Sequence, residues 1–352
     1  MLRGHGDDRY RYVNSVRADF SSNVPHRPEV VSFLRTKLAA GEWLEHYPEP
    51  DGERLAEAIA VREGVPPENV LITAGATAAI YLIAQAIHGA RSAIIPPTFA
   101  EYEDASRIHA HALIWLGAID QPSDATVMWI NNPNNPTGTV WSRADLLALV
   151  DAAPQRLHVV DLAYADFCLE RPVTAQDAAA RENLLVIKSM AKRLGVPGLR
   201  LGHVVGAAKW IDRLKMQQAP WTVSGAANAA GRALVEDVGF ANEFFGLGDD
   251  SKWFQPLDLV RSAEKLAKSL EAIPGIKSLA SRTHFFLFRL DQSRSAQLKK
   301  WLVETHGLLV RDAANFRGLD GHYVRVASQG EEKNSWLAQA LAQWAGRRKK
   351  AA

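Results

Sequence analysis

Between about Glu53 and Val205, short apolar runs alternate with segments of helical period, and this alternation limits the fold more than any other feature of the chain. The runs "NVLIT", "RSAIIP", "TVMWIN", "RLHVVD", "NLLVIK" and "LGHVV" read as buried strands, with "TAAIYLIAQAIHG" and "SRADLLALVDAA" as helices between them. Such a rhythm predicts an α/β domain with a mostly parallel sheet. After about Ser251 the pattern becomes a long amphipathic helix ("DLVRSAEKLAKSLEAI"), a strand ("THFFLFRL"), another helix, the strands "GLLV" and "HYVRVAS", and a closing helix ("NSWLAQALAQWAG"). That grouping predicts a second, α+β domain. The segment before Tyr47 holds no complete α/β unit and is expected to pack on this second domain. The expected division is therefore 46–250 for the large domain, with 1–45 and 251–352 forming the small one.

The chain has 352 residues, too many for one core of average size. Hydrophobic residues at 47% and charged residues at 23% fit a globular protein rather than a disordered one. A net charge of +2, with one dense basic run in the terminal "GRRKK", does not predict nucleic-acid binding. Cys168 is the only cysteine, which excludes an internal disulfide and a cysteine-based zinc cluster and fits a reducing compartment. Apolar runs stay below membrane-spanning length, and "MLRGHGDDRYRY" has no apolar segment of the secretory kind. The expected location is cytoplasmic, with no membrane partner.

The stretch "IKSMAKRLGVPGLRLGH" places Lys192 after a strand-like run and follows it with three glycines and Arg200. A lysine that forms a Schiff base with an aldehyde cofactor needs an anion site for a phosphate, an acid for the ring nitrogen and a face for the ring. Candidates for each stand at strand ends or helix starts. In "ITAGATAAI", Gly75 ends a strand, and the Ala76 and Thr77 N–H groups open a helix where an anion is attracted; an ordinary strand-to-helix turn would look the same. Ser189 and Arg200 offer a hydroxyl and a permanent charge to the same anion. Asp161 ends "RLHVVD", where ligands of open sheets collect, although a helix cap would also read this way. Tyr164 reads as a donor to a ring oxygen or as core. In "NNPNNPTG", Asn135 carries an amide suited to a phenolate oxygen, or simply belongs to a rigid loop. Phe99 in "PPTFAEY" offers an aromatic face, or packs in the core.

The ordered set "HYPEPDG", "AGAT", "PPTFAEY", "NNPNNPTG", "VVDLAY" and "SMAKRLGVPGLRLG" resembles the pyridoxal-phosphate aminotransferase superfamily of fold type I, in the subgroup of histidinol-phosphate aminotransferases. Three further stretches, "GHGDD" followed by "ADFSSN", "MQQAPWTVSGAANAAG" and "LLVRDAANFRGLDGHYVRVA", resemble the threonine-phosphate decarboxylases of cobalamin biosynthesis more than the aminotransferases. The resemblance implies a seven-stranded, mostly parallel sheet in the large domain and pyridoxal 5'-phosphate as cofactor. It gives Lys192 the covalent link to the cofactor, Asp161 its ring nitrogen, Asn135 and Tyr164 its ring oxygen, and Phe99 its stacking face. Gly75, Ala76, Thr77, Ser189 and Arg200 fall on the cofactor phosphate. Tyr47 matches a tyrosine that reaches the phosphate bound by a neighbouring subunit, which implies a homodimer. His5, Asn23, Arg311 and Arg325 match substrate-binding positions, and two arginines suit a substrate with a carboxylate and a phosphate.

Four positions depart from that pattern. Ala191 stands where a serine or threonine usually contacts the phosphate, a loss worth about 1 kcal/mol of cofactor binding. Arg193, directly after the lysine, is expected to compensate. Ala74 and His284 occupy positions where asparagine is common. The expected reaction is decarboxylation of L-threonine O-3-phosphate to (R)-1-aminopropan-2-ol O-phosphate. The alternatives are an aminotransferase acting on histidinol phosphate or a related amino acid and, from another class, a non-catalytic cofactor-binding regulator, a kind that usually carries a fused DNA-binding domain, for which no spare segment is expected here.

Overall fold

The computed structural model of the chain describes residues 6–12, 15–39, 41–237, 239–240 and 256–349. Strand β1 (Ala18–Asp19), helix α1 (Pro28–Lys37) and helix α2 (Glu53–Glu63) come first. The alternation then runs β2 (Val70–Thr73), α3 (Ala76–Ala86), β3 (Arg91–Ile94), α4 (Glu101–Ile108), β4 (Ala112–Trp115), β5 (Val127–Asn131), α5 (Arg143–Ala152) and β6 (Leu157–Asp161). It continues with α6 (Ala175–Ala179), β7 (Leu184–Ser189), α7 (Met190–Leu194), β8 (Gly202–Gly206), α8 (Ala208–Lys215) and α9 (Gly225–Glu236). The seven strands β2 to β8 form one sheet in the order β2-β8-β7-β6-β5-β3-β4. Strand β8 is antiparallel to β2 and β7, and the remaining pairs are parallel.

Both faces of this sheet are covered, so its central strands read as continuous apolar runs instead of alternating ones. Successive side chains of β5 supply the two layers. Val127 and Trp129 pack with Ile80 and Ile83 of α3 and Tyr102 of α4, whereas Met128 and Ile130 join Leu55 and Ile59 of α2 and Leu146 and Val150 of α5. Each such side chain contributes about 1.5–3 kcal/mol by leaving water. Strand β4 was not among the expected strands. It is the sheet's edge, with Ala112 exposed and Leu113 to Trp115 half-buried, which weakens its apolar signal.

The C-terminal half carries β9 (Ile276–Ser278), β10 (Phe285–Leu290), β11 (Leu308–Leu309), β12 (Arg311–Asp312) and β13 (Tyr323–Ala327). Four of these make an antiparallel sheet in the order β12-β13-β10-β9. Phe286, Phe288, Val324 and Val326 pack there against Ala263, Leu266 and Leu270 of the helix Pro256–Glu271 and Leu337 and Leu341 of the helix Glu331–Lys349. The run "GLLV" is divided: Leu308–Leu309 pairs in parallel with β1, and the antiparallel sheet resumes at Arg311.

The segment before Tyr47 is divided as well. Ala18 and Phe20 lie in the C-terminal core, but α1 buries Val30 and Leu34 in the core beneath the large sheet. The expectation that this whole segment packs on the second domain is corrected for α1, whose apolar face joins the core of the large sheet and packs on α9 rather than on the antiparallel sheet. Among the described residues, no helix is long and apolar enough to cross a membrane.

Candidate active site

The parallel strands β5, β6 and β7 end side by side. Their register pairs Asn131 with Asp161 and Asp161 with Ile187, and Ser189 closes β7 two residues later. Carboxyl ends of parallel strands form the crevice in which open α/β sheets bind ligands. A deep cavity of about 90 Å³ lies there, lined by Ala76, Thr77, Phe99, Asn131, Asn135, Asp161, Ala163, Tyr164, Ser189, Ala191, Lys192 and Arg200. A second cavity of about 220 Å³ shares Thr77, Phe99, Asn135, Tyr164 and Lys192 with it and adds Gly6, Asp7, Ser22, Val24, Arg311, Asn315, Phe316 and Arg325. Lys192 borders both.

Lys192 lies in the short helix α7, its Nζ 5.8 Å from the centroid of the Tyr164 ring. Asp161 is 3% exposed and accepts hydrogen bonds from the Tyr102 hydroxyl (2.8 Å) and the Ala163 N–H (2.9 Å). Burial pushes its carboxyl up, against those two bonds and the charge of Lys192. Tyr164 is held edge-on by Phe285 at 4.9 Å.

Gly75 ends the approach to α3 with φ at 86°, and a Cβ there would lie 2.7 Å from Arg200 Nη2. Arg200 is itself left-handed, with φ at 53°, and its Nη1 donates to the Pro197 carbonyl at 3.2 Å. The guanidinium is thus laid across the start of α3, whose unpaired N–H groups attract anions. Ser189 precedes α7 and borders the same space. Ala191 borders it without a hydroxyl. Arg193 Nη1 is paired with Asp166 at 2.7 Å, and Arg193 is not among the residues lining either cavity.

Arg311 and Arg325 face each other as registered partners of β12 and β13. Arg325 is 4% exposed, donates to Asn135 Oδ1 at 2.6 Å and to the Ser21 carbonyl, and is pushed down to about 10 by burial, so it remains a cation at neutral pH. Arg311 is buried too, bonded to Asn315 Oδ1 at 2.7 Å with its guanidinium 5.3 Å from the Phe316 ring. Asn135 therefore joins the strand-end loop to the antiparallel sheet across 190 residues of sequence.

Among the other predicted residues, Asn23 lines neither cavity, although its neighbours Ser22 and Val24 line the second, outer one. It is fully buried at φ 54°, and neither side-chain amide atom has a hydrogen-bond partner among the described residues. Its carbonyl accepts from His284 Nε2 at 3.2 Å, on the tautomer with hydrogen at that nitrogen. Tyr47 is 85% exposed beside Trp221, with ring centroids 5.3 Å apart, and does not line either cavity. His5 lies outside the described residues, as do the flanking residues 1–4. Ala74 is half-buried next to Gly75. Sequence reasoning missed Tyr102, Asn131, Asp7, Asn315 and Phe316. Tyr102 stands three residues after Phe99, one turn into the approach to α4.

This fold is that of pyridoxal-phosphate enzymes of fold type I, and the chain belongs to the aminotransferase class I and II family, matched over residues 18–341. Its cofactor is pyridoxal 5'-phosphate. The chain is similar to the crystal structure of L-threonine-O-3-phosphate decarboxylase from Porphyromonas gingivalis, at 32% identity and a TM-score of 0.86, over 92% of this chain and 98% of that one. Threonine-phosphate decarboxylase from Salmonella typhimurium is 28% identical over 92% of this chain and 90% of its own length. Histidinol-phosphate aminotransferase from Desulfitobacterium hafniense is also 28% identical, over 93% and 91%. The deep cavity fits the cofactor on its own chemistry: a glycine whose missing Cβ leaves the approach to Arg200 open, a helix start, a buried carboxylate and a lysine lie around one space.

Proposed function

We propose that this chain decarboxylates L-threonine O-3-phosphate to (R)-1-aminopropan-2-ol O-phosphate, a step of cobalamin biosynthesis. The observation that carries the reading is the pair Arg311 and Arg325, two buried cations in register on neighbouring strands, bordering one cavity with Lys192. Two such forks suit a ligand with two anions. The similarity to decarboxylases supports the same reading.

In this proposal Gly75, Ala76, Thr77, Ser189 and Arg200 hold the cofactor phosphate. Asp161 holds the ring nitrogen, Asn135 and Tyr164 bond the ring oxygen, and Phe99 covers the ring. Pyridoxal phosphate, when bound, supplies the electron sink that lets a bond at the amino-bearing carbon break. Arg311 and Arg325 bind and orient the substrate, so that the protein rather than the free rotation of the ligand sets which bond is exposed to cleavage. Asn23 and His5 belong to the same substrate site. Phe316 and Val24 keep water from its apolar side. Lys192 would hold the cofactor through its Nζ, and the same Nζ would deliver a proton at the carbon that loses carbon dioxide. Tyr47 from a second copy of the chain completes the phosphate site, which makes a homodimer the active species. The division into a large domain of 46–250 joined by α1 and a small domain of 251–352 with the rest of 1–45, and a cytoplasmic location, belong to this proposal.

A second reading is transfer of the amino group of histidinol phosphate. Asp7 favours it, because a carboxylate bordering the outer cavity suits an imidazolium better than a second anion. Incubation of the holoenzyme with threonine phosphate and no 2-oxo acid separates the two. Carbon dioxide and the amino alcohol phosphate are expected; an absolute requirement for a 2-oxo acid selects the second reading.

A further inference from the structure

Tyr102 is fully buried in α4, and its hydroxyl donates to Asp161 Oδ2 at 2.8 Å. Its ring is fixed on two sides. It stacks on Trp129, with centroids 5.6 Å and planes 16° apart, and meets Phe99 edge-on at 5.8 Å and 84°. Trp129 is anchored in turn by its indole N–H, which donates to Ser92 Oγ at 3.1 Å. One side chain thus touches both the carboxylate assigned above to the ring nitrogen and the ring assigned to cover the cofactor.

We propose that Tyr102 is a positioning residue that keeps Asp161 ionised and aimed at its partner, an inference that rests on Asp161 facing the ring nitrogen. A buried carboxylate beside a protonated ring nitrogen has an alternative state in which the proton crosses to oxygen and both groups become neutral. Surroundings of low polarity favour that neutral state. A hydroxyl that donates to the carboxylate stabilises the anion and so keeps the proton on nitrogen, where its charge withdraws electrons. The Ala163 N–H on Oδ1 acts in the same direction, and both oppose the upward push of burial on Asp161. Tyr102 itself stays a donor at every working pH, because burial and the neighbouring carboxylate hold its own ionisation well above the ordinary tyrosine range.

The test is Tyr102→Phe, which keeps the aromatic stack and removes the donor. In the holoenzyme, kcat should fall about ten- to a hundredfold with KM within about twofold. The pH at which the visible absorption of the lysine-bound cofactor changes should rise by about half a unit to one unit, because a ring that has lost its charge no longer repels the proton on the linking nitrogen. In an Asp161→Asn background the same substitution should cost nothing further. Unchanged kcat and midpoint, or an equal fall in both backgrounds, overturns the inference and leaves Asp161 in its role. If Asp161→Asn alone keeps kcat within a few-fold, the assignment of Asp161 fails and this inference falls with it. Thermal melting within a few degrees of wild type shows that the loss is not one of folding.

Discussion

His284 shows what burial does to one residue in this site. It is fully buried between the Asn23 carbonyl and the Thr283 hydroxyl, the latter 3.3 Å from Nδ1. Burial pushes it down to about 3, helped by the charges of Arg325 and Lys192. It is therefore neutral at any working pH, and it costs the site no extra positive charge. An unfolded histidine takes a proton near pH 6.5. Between that pH and about 3 the unfolded chain binds a proton that the folded chain refuses, so this contribution to stability is complete above pH 6.5 and is lost as the pH falls. By pH 5 the loss is about 2 kcal/mol. Urea unfolding at pH 7.5 and pH 5 should show the wild type losing about that much more than His284→Asn. His158, pushed down to about 4 by burial, has the same sign but is common to both proteins and cancels. Parallel losses would contradict this account of His284.

At the scale of elements, the turn from β2 into α3 carries the tightest requirement. Gly75 has φ 86°, and Arg200 occupies the space that a side chain would need. Gly75→Ala should cost about 1–3 kcal/mol of stability through the positive-φ, extended backbone alone, which only glycine adopts readily. Displacement of Arg200 should also weaken binding of pyridoxal phosphate by about tenfold or more, read from absorbance during cofactor titration. Unchanged affinity would mean that this turn does not hold the phosphate. These strand ends were legible in the sequence, because Gly75, Asp161 and Ser189 each stand where an apolar run breaks off, and a glycine or a polar residue at that point is conspicuous. Tyr102 was not legible: a tyrosine inside a buried helix reads as core until the carboxylate at the end of β6 is seen beside it. Arg193 shows the reverse. Its place next to Lys192 in the chain implied a shared task, yet the turn of α7 sends it to Asp166.

At the scale of the whole molecule, the outer cavity exists because parts distant in sequence meet. Asn135 from the large sheet bonds Arg325 from the small one, and a Cβ on Gly6 would stand only 3.0 Å from Arg325 Nη2, so the N-terminal strap lies directly on that arginine. Arg317, in the same loop as Asn315 and Phe316, reaches Glu103 of α4 through two hydrogen bonds of 3.0 and 2.6 Å and lies 4.2 Å from the Trp115 ring centroid. No apolar period predicts such contacts, which is why the strands were readable and their meeting was not. Tyr47 is 85% exposed beside the half-exposed Trp221, and Leu44, three residues before it, is 73% exposed, an apolar stretch that suits the proposed dimer. Sedimentation and activity across a dilution series should fall together, and Tyr47→Ala should lower cofactor affinity without melting the protomer. A fully active monomer contradicts the dimer proposal. The central claim, decarboxylation, is tested most directly by kcat/KM measured on one holoenzyme preparation for two reactions: carbon dioxide release from threonine phosphate without any oxo acid, and glutamate formation from histidinol phosphate with 2-oxoglutarate. The account predicts that the first exceeds the second by at least about a hundredfold, the equivalent of roughly 2.7 kcal/mol in favour of the doubly anionic substrate. Rapid glutamate formation with no carbon dioxide from threonine phosphate would contradict it.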